Sequence, residues 1–160
     1  TGALPKDGGR IANTSQTASI SGVLSASKLY CITTSATSGE PRAISEATLW
    51  GMNVTVGGNT ITADWLHSMA GARCPTDATP FSSGSSFFTN LRVNGRTIAL
   101  QKTPNRKIEL PNGYIVVNEQ TSFVTPWHAG RTVIGLRIVI TRNGSADVVL
   151  ARSQTHIDCP

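Results

Sequence analysis

This sequence is poor in charge. Asp, Glu, Lys and Arg make up only 14% of its 160 residues, which excludes a solvated acidic chain and differs from a helical cytosolic protein, whose outer faces are built from Glu and Lys. Aromatic residues are 6%, and no RNP-type aromatic platform accompanies the basic residues, so nucleic acid is not an expected partner. No apolar run approaches the ~20 residues needed to cross a bilayer as a helix, so no membrane span is expected. The three cysteines, Cys31, Cys74 and Cys159, form no C-x-x-C pair and have no histidine at ligand spacing, which speaks against a zinc finger or a thioredoxin-like motif. His67, His128 and His156 each lack a second ligand or base at a diagnostic spacing. No serine sits in a G-x-S-x-G elbow, and Asp64, Asp147 and Asp158 lack an oxygen-rich calcium loop. The expectation is therefore no catalytic residue, no metal and no cofactor: not an enzyme.

Ser, Thr and Gly fill the space that charge leaves, and helix formers are few, so the composition is all-β. A chain of 160 residues makes one domain that buries roughly two thirds of its unfolded surface. The stretch from Phe87 to Gln120 organises the rest. Leu91 and Val93 alternate up to Asn94-Gly95, and Thr97, Ile98 and Leu100 return. Ile108 and Leu110 lead to Pro111-Asn112-Gly113, and Tyr114 to Val117 return. Asn-Gly tolerates the positive φ of a tight hairpin turn, so two successive hairpins, a β-meander, are expected. Pro104, in the segment between them, marks a loop or a strand crossing between sheets.

Elsewhere Trp50, Met52, Val54 and Val56 alternate to Gly57-Gly58, and the returning strand is expected to put Ile61, Ala63, Trp65, His67 and Met69 on one face. Ile134, Leu136, Ile138 and Ile140 likewise predict one apolar face, with Asn143-Gly144 reversing the chain. Arg42 to Thr48 is ambiguous, with a helical turn at Ile44 to Ala47 as one reading, and Thr33 to Pro41 reads as a loop. Nine or ten strands at hairpin spacing predict a single antiparallel β-sandwich or jelly-roll-like domain over 17–160.

The first 16 residues lack periodicity and read as a flexible arm. After it Ala18, Ile20, Gly22 and Leu24 alternate with small polar residues, as in a strand that a subunit inserts into a neighbour through main-chain hydrogen bonds. These four are the candidate subunit contacts. Thr1 is not an initiator Met, so an exported chain with its signal removed is expected. A disulfide then follows for the cysteines. Three pairings are possible, and Cys74 with Cys159 is favoured because each lies just past a predicted strand end; Cys31 would be free, buried or linked to another chain.

The order of Asn59-Thr60-Ile61-Thr62-Ala63-Asp64, Cys74, Leu91-Arg92-Val93-Asn94-Gly95, Pro104-Asn105, Ile108-Glu109-Leu110, Val116-Val117-Asn118-Glu119-Gln120 and Ala146-Asp147-Val148-Val149-Leu150-Ala151 resembles the choice-of-anchor P family, from about Trp50 to Cys159. The resemblance implies an exported bacterial surface or extracellular protein without enzymatic activity. Nothing after Cys159 but Pro160 could serve as a sorting tail, so the expectation is either that the anchor was removed or that the chain is held in another way, such as assembly into a polymer. The net charge of +5 comes from Lys and Arg scattered along the chain, with a local concentration at Arg92, Arg96, Lys102, Arg106 and Lys107, which reads as a solvated face or as a contact for a wall polymer, an acidic polysaccharide or an acidic neighbouring subunit. The functional expectation is an extracellular, cell-surface filament subunit that binds copies of itself. The alternative is a monomeric module for wall or extracellular polysaccharide, which exposure of Trp50, Trp65 or Trp127 beside polar groups would favour.

Overall fold

The computed structural model describes residue 4 and residues 7–36, 40–76, 78–99 and 103–159. Readings that fall on Thr1, Leu100, Lys102 and Pro160 lie outside these. Among the described residues there are thirteen strands and no helix, hence no helix long and apolar enough to cross a membrane. The strands are β1 (Gly9–Ser15), β2 (Ala18–Ile20), β3 (Leu24–Ala26), β4 (Lys28–Ala36), β5 (Arg42–Val56), β6 (Asn59–Arg73), β7 (Phe81–Thr89), β8 (Arg92–Val93), β9 (Arg96–Thr97), β10 (Arg106–Leu110), β11 (Gly113–Val124), β12 (His128–Ile140) and β13 (Ala146–Asp158).

Every pairing is antiparallel. β1 to β9 form one sheet and β10 to β13 a second, four-stranded meander, with β12 and β13 packed over β5 and β6. The fold is thus a sandwich with consecutive strands in each sheet, and the chain does not shuttle between sheets as in a jelly roll. The segment around Pro104 is the crossing. The Asn94-Gly95 hairpin closes on the first sheet and the Pro111-Asn112 hairpin opens the second, so the two do not form the single meander expected of them. The turn itself is as expected: Asn94 and Gly95 have φ of 49° and 80°.

Two sequence readings are overturned on β4 and β5. β5 runs unbroken through Arg42–Val56, so there is no helical turn at Ile44 to Ala47, and β4 extends through Thr33 to Ala36 where a loop was expected. Within β5, Ala47 and Leu49 face inward on odd positions, whereas Met52 and Val54 face inward on even ones. The inversion falls at Gly51, whose φ of 57° is one that a side chain would resist. On β6 the switch lies opposite, between Ala63 and Leu66. Leu66, Ser68, Ala70 and Ala72 point into the sandwich, and Trp65, His67 and Met69, expected beside Ile61 and Ala63, are only half-buried on the outer side. The second sheet kinks at the same level. Asn118 and Ala151 have φ of 55° and 52° and flank Gly135, where a Cβ would touch Leu66 of the other sheet. Val133 is therefore buried while Ile134 turns outward, away from Leu136, Ile138 and Ile140.

This belt divides the interior in two. On one side Met52, Val54, Ile61, Leu91, Ile115, Val117, Leu136 and Ile138 are almost wholly buried, each worth about 1.5–3 kcal/mol of transfer free energy. That end is closed by the turn asparagines. Asn59, 2% exposed, donates to Asn112 Oδ1 (2.7 Å) and accepts from Asn94 Nδ2 (3.0 Å), which joins three hairpin turns from both sheets. On the other side the interior is small and polar: Ala43, Ala70, Ala72, Ser68, Ser82, Ser86, Ala129, Ser153 and Thr155.

Candidate functional site

The small-residue end carries the exposed chemistry. Cys74, just past β6, is disulfide-bonded to Cys159, just past β13, across 85 residues of sequence, with Cα atoms 5.6 Å apart. The pairing favoured from sequence is the one formed, and it staples one sheet to the other. Cys31 is a free, partly buried thiol on β4 that packs against the core.

Beside the staple the hairpin from β11 to β12 ends in Thr125-Pro126-Trp127. Its turn is closed by Thr125 N donating to His128 O (2.8 Å), and Cys159 N donates to Trp127 O (2.7 Å), tying the tip to the disulfide. Phe123, Val124 and Trp127 project here with exposures of 46%, 51% and 61%. His128 stands opposite Asp158 in the register of β12 and β13, and His156 lies two residues before Asp158, on the same face of β13. His128 Nδ1 is 2.7 Å and His156 Nε2 2.9 Å from the same carboxylate oxygen, Asp158 Oδ1. The imidazoles stack with centroids 6.1 Å apart, and Phe123 lies against His156 at 5.4 Å. The hydrogen bond from His128, then that from His156, holds the Asp158 carboxyl below its usual range. No spacing along the chain announces this gathering, because the signal is a register that pairs residues 30 positions apart, and a register is invisible to a spacing rule.

The candidate subunit contacts lie at the opposite edge of the molecule. β1 pairs with β4 and β2 with β3, so residues 9–15 of the expected arm form the outermost strand of the first sheet. Ala18 and Ile20 sit on β2, Leu24 on β3, and Ile20 O accepts from Val23 N (2.9 Å) across the turn that joins them. Gly22, with φ of 69°, supplies the left-handed residue of that turn. Ala18 and Leu24 pack against the core, and Ile20 is 59% exposed. In the single chain these residues pair with their own sheet.

On the outer face of the first sheet, Trp50 stands directly across from Trp65, and Thr48 from His67. All but Thr48 are half-buried. The faces of these rings are partly taken: His67 stacks on Trp65 with planes 5° apart, and Lys28 lies over Trp50. Burial lowers the His67 pKa, with Glu46 opposing, and its Nδ1 is 2.9 Å from Thr48 Oγ1. Asn118 and Glu119, which start the polar run on β11, face opposite ways: Asn118 Oδ1 accepts from Gln120, and Glu119 pairs with Arg137. They are mid-strand polar residues at the kink of β11.

No family model matches the chain, and neither the curated proteins nor the solved structures yield a significant match.

Proposed function

We propose that this chain is an extracellular structural protein of the bacterial surface, a filament subunit that assembles by exchanging its N-terminal strand with a neighbour. The observation that carries the reading is the make-up of the edge ribbon β1–β2. Of its residues only Ile11 and Ala18 are partly buried, so it is held chiefly by ladder hydrogen bonds to β3 and β4. A strand held by main-chain bonds is one that an identical strand from a second copy can replace. Opening the turn at Gly22 would release β1–β2 from one subunit and leave β3–β4 as its acceptor. Reciprocal exchange gives a closed dimer, and head-to-tail exchange an open-ended fibre. The disulfide between Cys74 and Cys159 suits an oxidising compartment, and membership of the choice-of-anchor P family belongs to the same proposal.

Negative-stain electron microscopy of the native protein tests it, with filaments of one subunit's width as the expected result. Cysteines introduced at the facing positions Ser19 and Ser25 should lock the ribbon in place and abolish filaments under oxidising conditions, with recovery on mild reduction. Dispersed globules at all concentrations, or assembly unaffected by the lock, would refute strand exchange.

A second reading has its own support. Trp127, 61% exposed beside His128 and Asp158, offers an aromatic ring next to polar groups, the arrangement that a polysaccharide-binding module uses. Retention on insoluble cell-wall glycan that is lost in Trp127→Ala would favour this reading.

A further inference from the structure

We propose that His128, His156 and Asp158 form a binding site for one divalent transition-metal ion of the Zn2+ class. The three ligand atoms, one from each side chain, lie within 4.8 Å of one another. They come from two adjacent strands whose relative position is fixed by ladder pairing through Ala129↔Ile157 and Gly130↔His156, by the Cys159 N to Trp127 O bond of 2.7 Å and by the disulfide at Cys159. The ligands are therefore largely pre-positioned, which lowers the ordering cost of binding.

The convergence is what separates this trio from an ordinary surface ion pair. A single histidine opposite an aspartate would satisfy the register. Here a second imidazole reaches the same oxygen, at 2.9 Å against 2.7 Å for the first, so two N–H groups share one acceptor. A tetrahedral Zn2+ with bonds of about 2.0–2.1 Å keeps its ligand atoms about 3.3 Å apart. Lengthening the two contacts by about 0.5 Å, through rotation of the exposed Asp158 carboxylate, and drawing the two ring nitrogens, which lie within 4.8 Å of each other, to the same spacing by rotation of the exposed imidazoles make room for the ion. His128 would bind through Nδ1 and His156 through Nε2, the proton that each now directs at Asp158 passing through solvent to the other nitrogen of the same ring, so that each ligates as a neutral imidazole. Two imidazoles and one carboxylate form a nitrogen-rich, borderline set that favours Zn2+, Cu2+ or Ni2+ over Mg2+ or Ca2+. With side-chain exposures of 48%, 56% and 71% for His128, His156 and Asp158, the bound ion keeps at least one position open to solvent. That position could take an oxygen donor from another molecule.

The test is calorimetric titration of the metal-stripped native protein with ZnCl2, with MgCl2 as comparison. The expected result is one equivalent of Zn2+ bound, no heat with Mg2+, and at least a tenfold loss of affinity in His128→Ala, His156→Ala and Asp158→Asn, with His67→Ala unchanged. Because all three ligands are exposed, circular dichroism should show each variant folded. Substitution with Co2+ provides a second readout, since visible absorption bands of tetrahedral intensity would report nitrogen ligation. Absence of Zn2+ binding, or binding that survives in His128→Ala and His156→Ala alike, would reduce the trio to a surface ion pair and overturn the proposal.

Discussion

The two halves of the sandwich interior are built on different principles. Above the kinked belt, large aliphatic side chains interdigitate, with Val54, Ile61, Leu91, Ile115, Leu136 and Ile138 fully buried. Below it, serine, alanine and threonine predominate around a few larger side chains such as Leu49 and Val133, and several polar atoms there, including Ser82 Oγ, Ser86 Oγ and Thr155 Oγ1, have no hydrogen-bond partner. Small side chains remove less apolar surface from water and so contribute less per residue. The disulfide sits at that lower end, where the hydrophobic contribution is weakest. The difference teaches that this fold is stabilised locally by two unlike means: burial at one end, a covalent link at the other.

Removing the link should therefore have the largest effect. Cys74→Ala with Cys159→Ala opens a loop of 85 residues, and the closure entropy lost amounts to roughly 4 kcal/mol. Urea denaturation should show it, and hydrogen exchange should rise first at the ends of β6 and β13. Uniform acceleration through β5 and β11 as well would mean that the halves are not separable. Next comes Leu136→Ala in the apolar half, with a loss of about 3 kcal/mol from transfer and cavity terms. The same truncation logic fails below the belt, where overfilling is the hazard. A Cβ on Gly84 would overlap Val133 Cγ2 and Arg131 Cδ, so Gly84→Ala should cost about 1–3 kcal/mol. A neutral result would show that the sheets can separate there at no cost.

How much of this was legible in the sequence follows from the same belt. The all-β class, the turns at Asn94-Gly95 and Gly57-Gly58 and the Cys74–Cys159 pairing depend on local chemistry or on strand ends, and they were readable. The inward faces were readable only between Gly51 on β5 and Ala63 on β6, and Trp50, read with Met52 and Val54, lies on the outer side. Alternation is a period-two argument, and one left-handed residue shifts its phase. Extrapolated across the kink, it placed Trp65 and His67 with the core residues of the other half. Ala151 carries no turn signature, and Asn118, though of a type that tolerates positive φ, has no glycine beside it to announce a turn. The His128, His156 and Asp158 trio was hidden for a different reason, since it arises from pairing between strands and not from spacing within one.

A smaller effect probes the buried polar pair across the sheets. Ser68 and Ser153 are 0% and 1% exposed, with their hydroxyls 2.7 Å apart, and Ser153 Oγ is also 3.1 Å from Ser68 O. Ser153→Ala strands the Ser68 hydroxyl and should cost about 1–3 kcal/mol, whereas Ser68→Ala leaves Ser153 a carbonyl to bond and should cost less. The double substitution should be nearly neutral, and a double-mutant cycle measures the coupling.

The smallest effect is a pH dependence at the outer face. His67 has its pKa lowered from 6.5, first by burial, against a weaker opposing pull from Glu46. The unfolded chain therefore takes up the proton at a higher pH than the folded one, and between the folded value and 6.5 the unfolded state holds more protons. Stability from this group is fully present above that range and falls as the pH drops through it. His67→Gln, which cannot titrate, should flatten that part of the curve between about pH 8 and about pH 5. Thr48→Val should retain the slope, because the dominant cause is burial and not the hydroxyl 2.9 Å from Nδ1. If Thr48→Val abolished the slope while His67→Gln kept it, the titrating group would have to be another histidine, and the half-buried aromatic row would play no part in the acid response.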